Sequence, residues 1–354
     1  MKTDNKKALT VFSTDWHLKT SNIETIKDLI TQQCELALEL EVDTLVCLGD
    51  VFDSRIAQRE DVLTAFGQIL DIIGGYDLTL WLIPGNHDKT SYNSYDSFLT
   101  PYKYHPNLHL VYMAGSIPFV DSKLHLDFLP FFSEQMWLDK FNEFTDYIDF
   151  SSISKDEKHI LCTHIAVTGS KNNDGTMVSS TLSTSLFKQF YKVFSGHYHD
   201  QQQIGSNFYH IPSIQQNNFG ENSDKGFTVL YEDGSHKLVK SKFKEYVKVK
   251  IDLDSVTTND INDLKKKYKG SDNNIRFEVT GSENVLKSLR KEEFSSLGIE
   301  LKTKVKEIQT DIEYSESAEV VEHTSASIKE VFEKFCEKEL LDVEVGMKYL
   351  NKKL

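Results

Sequence analysis

Cysteine and proline are scarce in this chain of 354 residues, with four of the first and six of the second. The cysteines (Cys34, Cys47, Cys162 and Cys336) stand far apart and form no C-x-x-C pair. Neither a disulfide framework nor a thiolate zinc site can be built from them, so buried thiols in a reducing, cytoplasmic setting are expected. Seventeen glycines are too few for a collagen-like or low-complexity chain. No apolar run approaches the ~18 residues of a membrane span, and the opening MKTDNKKALTVF has charges where a signal peptide needs an apolar stretch. No membrane partner is expected. The chain also lacks G-x-x-x-x-G-K-[ST], so it is not expected to hydrolyse ATP by itself.

Positive charge is short as well. The formal net charge is −14, and residues 1–240 hold 19 Lys and Arg against 31 Asp and Glu. A protein that grips nucleic acid by bulk charge is basic. A phosphate-bearing substrate would have to be drawn here by metal ions or a basic partner instead.

What the chain does have is alternation. Residues 9–13, 44–48 and 78–83 read as short buried strands. Between them, Ile23, Ile26, Leu29, Ile30, Ala37 and Leu40, then Val62, Leu63, Phe66, Ile69, Leu70 and Ile73, recur at helical spacing. Gly74-Gly75 reads as the stop of the second helix. Strand, helix and strand in turn predict βαβ crossovers and a largely parallel sheet. Further strands are expected at 108–112, 124–129, 160–163, 192–195 and 208–211, then a hairpin of 227–231 and 237–239 around Asp233-Gly234. A lysine-rich stretch (Lys237 to Lys250) marks a boundary near residue 243. Residues 246–310 read as a small second unit with strands at 246–251 and 275–279 and a helix at 259–268. Residues 318–354 read as charged helix.

Metal-competent residues follow the apolar strands. The first strand leads into Asp15-Trp16-His17, the second into Gly49-Asp50-Val51-Phe52-Asp53, the third into Gly85-Asn86-His87-Asp88. Later strands lead into Thr163-His164 and Gly196-His197-Tyr198-His199. Open α/β folds bind ligands beyond the carboxyl ends of their strands, so these five segments are expected on one rim. Any one of them alone is an ordinary turn or surface loop. Together they take five of the twelve histidines, each just after an apolar strand. Carboxylate, imidazole and amide donors suit Mn²⁺, Mg²⁺, Fe²⁺ or Zn²⁺. Seven candidates (Asp15, His17, Asp50, Asn86, His164, His197, His199) exceed one ion and fit two, with one carboxylate between them. Two ions about 3.5–4 Å apart clamp a phosphate ester and activate water.

D-x-H, G-D-x-x-D, G-N-H-D, a lone His and G-H-x-H, in that order, resemble the calcineurin-like metallophosphoesterase superfamily over residues 9–199. GDVFDSR at 49–55, KVFSGHYHD at 192–200 and YHIPSIQQNNFGENSDKGF at 209–227 are similar to the SbcD-type nuclease subunits of double-strand-break repair, including those of tailed phages. The resemblance implies an α/β fold: a β-sandwich flanked by helices on a βαβαβ core, a small α/β capping domain and a helical C-terminal tail. The divisions are 1–243, 244–317 and 318–354. It implies Asp15, His17 and His199 on one Mn²⁺, Asn86, His164 and His197 on the other, and Asp50 between them. His87 would contact the scissile phosphate and protonate the leaving oxygen, with Asp88 orienting its ring.

Asp53 stands where some relatives carry a phosphate-contacting histidine. A carboxylate cannot take that part, and orienting His17 or His87 is expected of it instead. Arg55, Arg59 and Lys89 read either as contacts to the DNA backbone or as solvated surface charges. His210 lies in a resembling segment at a strand end. The other histidines outside the motifs, including His125 and His159, read as surface or packing residues. The implied partners are DNA and an SMC-like ATPase held by the C-terminal helices, with two nuclease subunits in the complex. The implied activity is Mn²⁺-dependent DNA exonuclease and endonuclease. A phosphoprotein phosphatase or cyclic-nucleotide phosphodiesterase would share the same metal motifs, and a scaffold that had lost its metals would not retain all seven ligands.

Overall fold

The computed structural model describes residues 6–306, apart from residues 120, 121, 149, 151, 155, 173, 174 and 288. The elements begin β1 (Ala8–Ser13), α1 (Ile23–Glu39), β2 (Thr44–Cys47), α2 (Glu60–Gly75), β3 (Thr79–Leu82) and β4 (Leu108–Leu110). They continue with β5 (Gly115–Phe119), β6 (Leu124–Leu129), α3 (Glu134–Ile148), β7 (Lys158–Thr163), β8 (Lys192–Ser195), β9 (Gln202–Ile204) and β10 (Phe208–His210). The hairpin β11 (Gly226–Tyr231) and β12 (His236–Lys240) follows. Last come β13 (Tyr246–Asp252), α4 (Thr258–Tyr268), β14 (Asn274–Gly281), α5 (Glu283–Lys287), α6 (Lys291–Ser295) and β15 (Ile299–Val305).

Two six-stranded sheets stack face to face, in the orders β12-β11-β1-β2-β3-β4 and β5-β6-β7-β8-β10-β9. Within them β1 to β4 and β6, β7, β8 and β10 run parallel, while the β11–β12 hairpin joins the first sheet, and β5 and β9 the two edges of the second, by antiparallel pairing. The sheets are therefore mixed. Alternate side chains explain the layering. Val11, Leu45 and Cys47 face α1 and α2, where they meet Ile26, Ile30, Phe66 and Ile69. Phe12, Val46 and Leu48 point the other way, into a core shared with Phe128, Ile160, Cys162 and Phe194 of the second sheet. The outer face of that sheet, with Leu161, Val193 and Phe208, is covered by Trp137 and Phe141 of α3. Strands buried on both faces have to read as continuous apolar runs, as these do.

Gly74-Gly75 does not stop α2. The helix runs through Gly75 and closes at Tyr76, and the left-handed residue is Asp77, at φ +56°. Gly74 answers a different need: a Cβ there would sit 2.5 Å from the Asn107 side chain.

The third sheet, β13-β14-β15, is wholly parallel and has its own core of Ile251, Phe277, Val279, Phe294 and Ile299. The described cysteines Cys34, Cys47 and Cys162 are free and buried. Among the described residues no helix is long and apolar enough to cross a membrane. The expected C-terminal helices at 318–354 lie outside the described residues.

Candidate metal centre

The candidate ligands follow five strands drawn from both sheets: β1, β2 and β3 of the first, β7 and β8 of the second. Face-to-face stacking brings these carboxyl ends to a single rim. The backbone there is strained in a consistent way. Asp15, His17, Asp50 and His197 have φ of 52°, 46°, 52° and 85°, in the left-handed region that non-glycine residues seldom occupy. Packing leaves no room for side chains at the neighbouring glycines. A Cβ on Gly196 would meet the Thr14 hydroxyl and lie 2.7 Å from His164 Nδ1.

Asp15, His17 and His199 form the first group, with donor atoms within 4.8 Å of one another. His17 Nε2 and His199 Nε2 are 3.0 Å apart, and each lies 3.8 Å from Asp15 Oδ1. The other Asp15 oxygen already accepts from the Thr14 hydroxyl at 2.8 Å and the His197 N–H at 3.2 Å. Oδ1 is buried with no hydrogen-bond partner among the described residues. His199 Nδ1 donates to Glu221 Oε1 at 2.8 Å, which leaves its Nε2 lone pair aimed at the group. An orphaned carboxylate oxygen between two imidazole nitrogens fits a divalent cation.

Asp50, His164 and His197 form the second group, together with Asn86. His164 Nδ1 donates to the Leu48 carbonyl at 2.6 Å, so its Nε2 is the free nitrogen. That Nε2 lies 3.1 Å from Asn86 Oδ1 and 3.3 Å from Asp50 Oδ2, and His197 Nδ1 lies 2.8 Å from the same Asn86 oxygen. Asp50 also belongs to a cluster with His17 and His87, so it stands between the two groups.

The charges of these side chains follow from burial and from one another. Burial pushes His17 well down and holds His197 at about 3, so both imidazoles keep their lone pairs. Burial opposes a charge on Asp50 too, but His164, His17 and His87 draw its carboxyl below the usual range. His164 goes the other way: burial disfavours its charge, the Asp50 carboxylate outweighs that, and its pKa rises to about 9.

His87 sits beside Asp50, with Nε2 at 3.9 Å from Oδ2. Its Nδ1 donates to the main-chain carbonyl of Asp53 at 2.6 Å, and its Nε2 accepts from the Arg55 guanidinium at 2.6 Å. Asp88, expected to orient this ring, does not touch it. Its buried carboxylate accepts from the Phe52 N–H at 3.1 Å and the Gly85 N–H at 2.8 Å, which ties the 49–53 loop to the 85–88 loop. The Asp53 side chain lies 3.7 Å from His17 Nδ1 and 3.3 Å from Lys19 Nζ.

An open cleft of about 770 Å³ exposes this centre. Of the three expected backbone contacts, Arg55 lines it. Arg59 lies elsewhere, at the start of α2, paired with Asp61 at 3.1 Å. Lys89 is buried, 1% exposed, and donates to the carbonyls of Ser94 and Phe131 at 3.0 and 2.7 Å. Its position just after His87-Asp88 suggests the rim, but the chain turns it inward.

Several residues of the site carry no motif of their own. Glu221 and the fully buried Lys225, 3.1 Å apart, brace His199, and Lys225 also reaches Asp200 at 2.7 Å. Their E-x-x-x-K spacing within 209–227 is the available signal. Lys19, Asn172, Asn217 and Asn218 also line the cleft. His210 is buried behind the centre, taking the Ser170 hydroxyl at 2.8 Å and donating to the Gly196 carbonyl at 3.0 Å.

A β-sandwich flanked by helices, with clustered His and Asp residues suited to two cations at its rim, defines a metal-dependent phosphoesterase-type hydrolase. The sequence profile of the calcineurin-like phosphoesterases matches residues 9–201, and the chain belongs to that family. Among solved structures it is similar to a dimetal phosphatase from Danio rerio, at TM-score 0.45 and 13% identity over 64% of this chain and 93% of that one. It is also similar to a calcineurin-like phosphoesterase from Bacillus subtilis, at TM-score 0.39 and 13% identity over 66% and 89%. No curated protein matches it in sequence.

Proposed function

We propose that this hydrolase is a Mn²⁺-dependent DNA exonuclease and endonuclease, the nuclease subunit of an SbcCD-type repair and recombination complex. One observation carries the choice of substrate. The loop that supplies Asn217, Asn218 and Gly220 to the cleft also holds the third sheet: Phe219 packs edge-on to Tyr246 at 4.9 Å, and the Arg276 guanidinium lies 3.8 Å over the Phe219 ring. The sheet face on the Arg276 side, opposite the apolar core, is cationic. Across the register it carries Lys248, Lys250, Arg276, Lys302 and Lys304 against Asp252, Glu278 and Glu300. In a chain of net charge −14 this is a local surface suited to a phosphate backbone continuing out of the cleft.

Asp15, His17 and His199 would hold one cation and Asn86, His164 and His197 the other, with Asp50 shared. Two divalent ions in these positions supply charge to a phosphodiester and lower the pKa of water. The chain's own residues do the rest. The Asp53 carbonyl fixes the His87 proton on Nδ1 and turns Nε2 to the cleft. Arg55 occupies Nε2 at 2.6 Å; a phosphate that draws the guanidinium away would free Nε2 to take a proton from solvent and pass it to the leaving oxygen, returning the neutral imidazole. Residues 1–243 then form the nuclease domain, 244–317 the capping domain and 318–354 the segment that holds the SMC-like ATPase, in a cytoplasmic complex with two nuclease subunits.

The test is digestion of blunt, hairpin and single-stranded DNA with Mn²⁺, beside a phosphopeptide and a cyclic nucleotide. Cleavage of DNA, raised by an SMC-like ATPase, is the expected result. Turnover of the phosphopeptide or cyclic nucleotide with DNA left intact would overturn the nuclease reading and leave the phosphoesterase class standing.

A further inference from the structure

The opposite end of the second sheet carries another group of ligand-type residues. His125 near the start of β6 and His159 near the start of β7 are Cα partners across the parallel pair. Their rings stack at 4.4 Å between centroids and 8° between planes. Glu157, just before β7, places Oε2 3.9 Å from His125 Nε2. One donor atom from each of the three lies within 4.8 Å of the other two. This group is far from the cleft. His159 is the second residue of β7 and His164 follows its end, five residues or roughly 16 Å of extended chain away.

The chemistry of His159 sets the group apart from a chance surface cluster. The residue is buried, at 7% exposure. Its Nδ1 donates to the fully buried Asp127 carboxylate at 2.7 Å, which fixes the tautomer and leaves a lone pair on Nε2. That Nε2 is buried and has no hydrogen-bond partner among the described residues. A proton there would have no acceptor, whereas a cation would use the lone pair. A buried carboxylate behind a histidine whose second nitrogen is unpartnered is the arrangement that orients metal-binding imidazoles.

We infer that His125, His159 and Glu157 form a second, separate site for one divalent transition-metal ion, with Zn²⁺ the best match to two imidazoles and a carboxylate. Asp127 acts as the positioning residue. Zinc with ligands at ~2.0–2.2 Å draws donor atoms to about 3.4 Å of one another. The stacked rings keep their in-plane lone pairs in parallel planes, so His125 has to rotate off His159 to share an ion; its side chain and that of Glu157, 24% and 38% exposed, have the freedom to do so and leave a path from solvent. The ion would pin the segment before β7 to the β6–β7 pair.

The test uses the full chain, Zn²⁺ alone as the probe, metal counting after gel filtration, and anomalous scattering at the zinc edge to locate each ion. Wild type is expected to show a peak among His125, His159 and Glu157. His125→Ala and Glu157→Ala, both at partly exposed positions, each lose that peak and one zinc per chain, with hydrolysis of a simple phosphodiester changed less than about twofold. Asp127→Asn weakens this one site about 10- to 100-fold. In Asp50→Asn, zinc at the cleft falls while this peak persists, so the two sites succeed or fail separately. No peak at these residues in wild type, or an unchanged zinc count in both His125→Ala and Glu157→Ala, overturns the inference.

Discussion

Asp50 accepts the main-chain N–H of His87 at 2.7 Å through one carboxylate oxygen and faces the candidate metal ligands with the other. One side chain thus positions the candidate acid and stands between the two cation groups. Asp50→Ala is therefore expected to lower bound Mn²⁺ at both positions and to cut phosphodiester hydrolysis by more than about 100-fold, beyond what loss of an outer partner costs. Metal content and turnover measured on one preparation check this. Two ions retained at full occupancy would contradict the bridging role.

His87→Ala separates chemistry from metal binding. The ring touches Asp53 and Arg55 but is not needed to build either trio of ligands. Metal content is expected to stay at the wild-type level while kcat falls about 10²- to 10⁴-fold, the usual range for removal of a general acid. Cleavage at the wild-type rate would remove His87 from the mechanism.

Glu221 orients His199 without facing the cleft. Glu221→Gln keeps the size but gives up a charged acceptor 2.8 Å from His199 Nδ1, and it leaves the buried Lys225 short of one of its anions. Mn²⁺ affinity is expected to fall about 10- to 100-fold, with most activity restored at saturating metal. Equilibrium binding across a metal titration reads it; a loss that no amount of metal rescues would mean a different role.

Metal binding carries its own pH dependence. With its pKa at about 9, His164 holds a proton on the free form of the centre at neutral pH, and a cation has to displace it. Affinity is expected to rise about tenfold per pH unit between pH 7 and 9 from this group, and to flatten above. A titration of Mn²⁺ binding against pH measures the slope; affinity constant over that range would contradict it.

Lys89 and the third sheet give opposite expectations for DNA. Lys89→Met removes a buried ammonium that holds the carbonyls of Ser94 and Phe131, so melting temperature should fall while DNA binding by the folded protein is unchanged. Lys302→Ala with Lys304→Ala should leave stability alone and make duplex binding less salt-dependent, by about one unit of log–log slope for each phosphate the lysines no longer neutralise. Filter binding at several salt concentrations distinguishes the two.

The buried strands, the order of the motifs and the seven candidate ligands that meet at the rim are legible in the linear chain. Buried strands must be apolar and their carboxyl ends carry the ligands, and both requirements are written locally. The strand expected at 124–129 and that at 192–195 match β6 and β8 residue for residue. Other elements are less legible: Trp137, Phe141 and Phe144 repeat at helical spacing in α3 without having been expected there, and the edge strands β5, β9 and β15 were not expected at all. Edge strands owe more to pairing with a neighbour than to their own pattern. Which neighbours of the motifs matter depends on the folded arrangement. Lys89 follows Asp88 directly and Arg55 lies five residues after Asp50, yet the nearer cation turns into the core and the farther one into the cleft. Glu221 reaches His199 across 22 residues because β11 returns beside β1 and folds that loop against the rim. Direction and burial of a side chain depend on packing between distant segments, and a linear pattern does not carry that information.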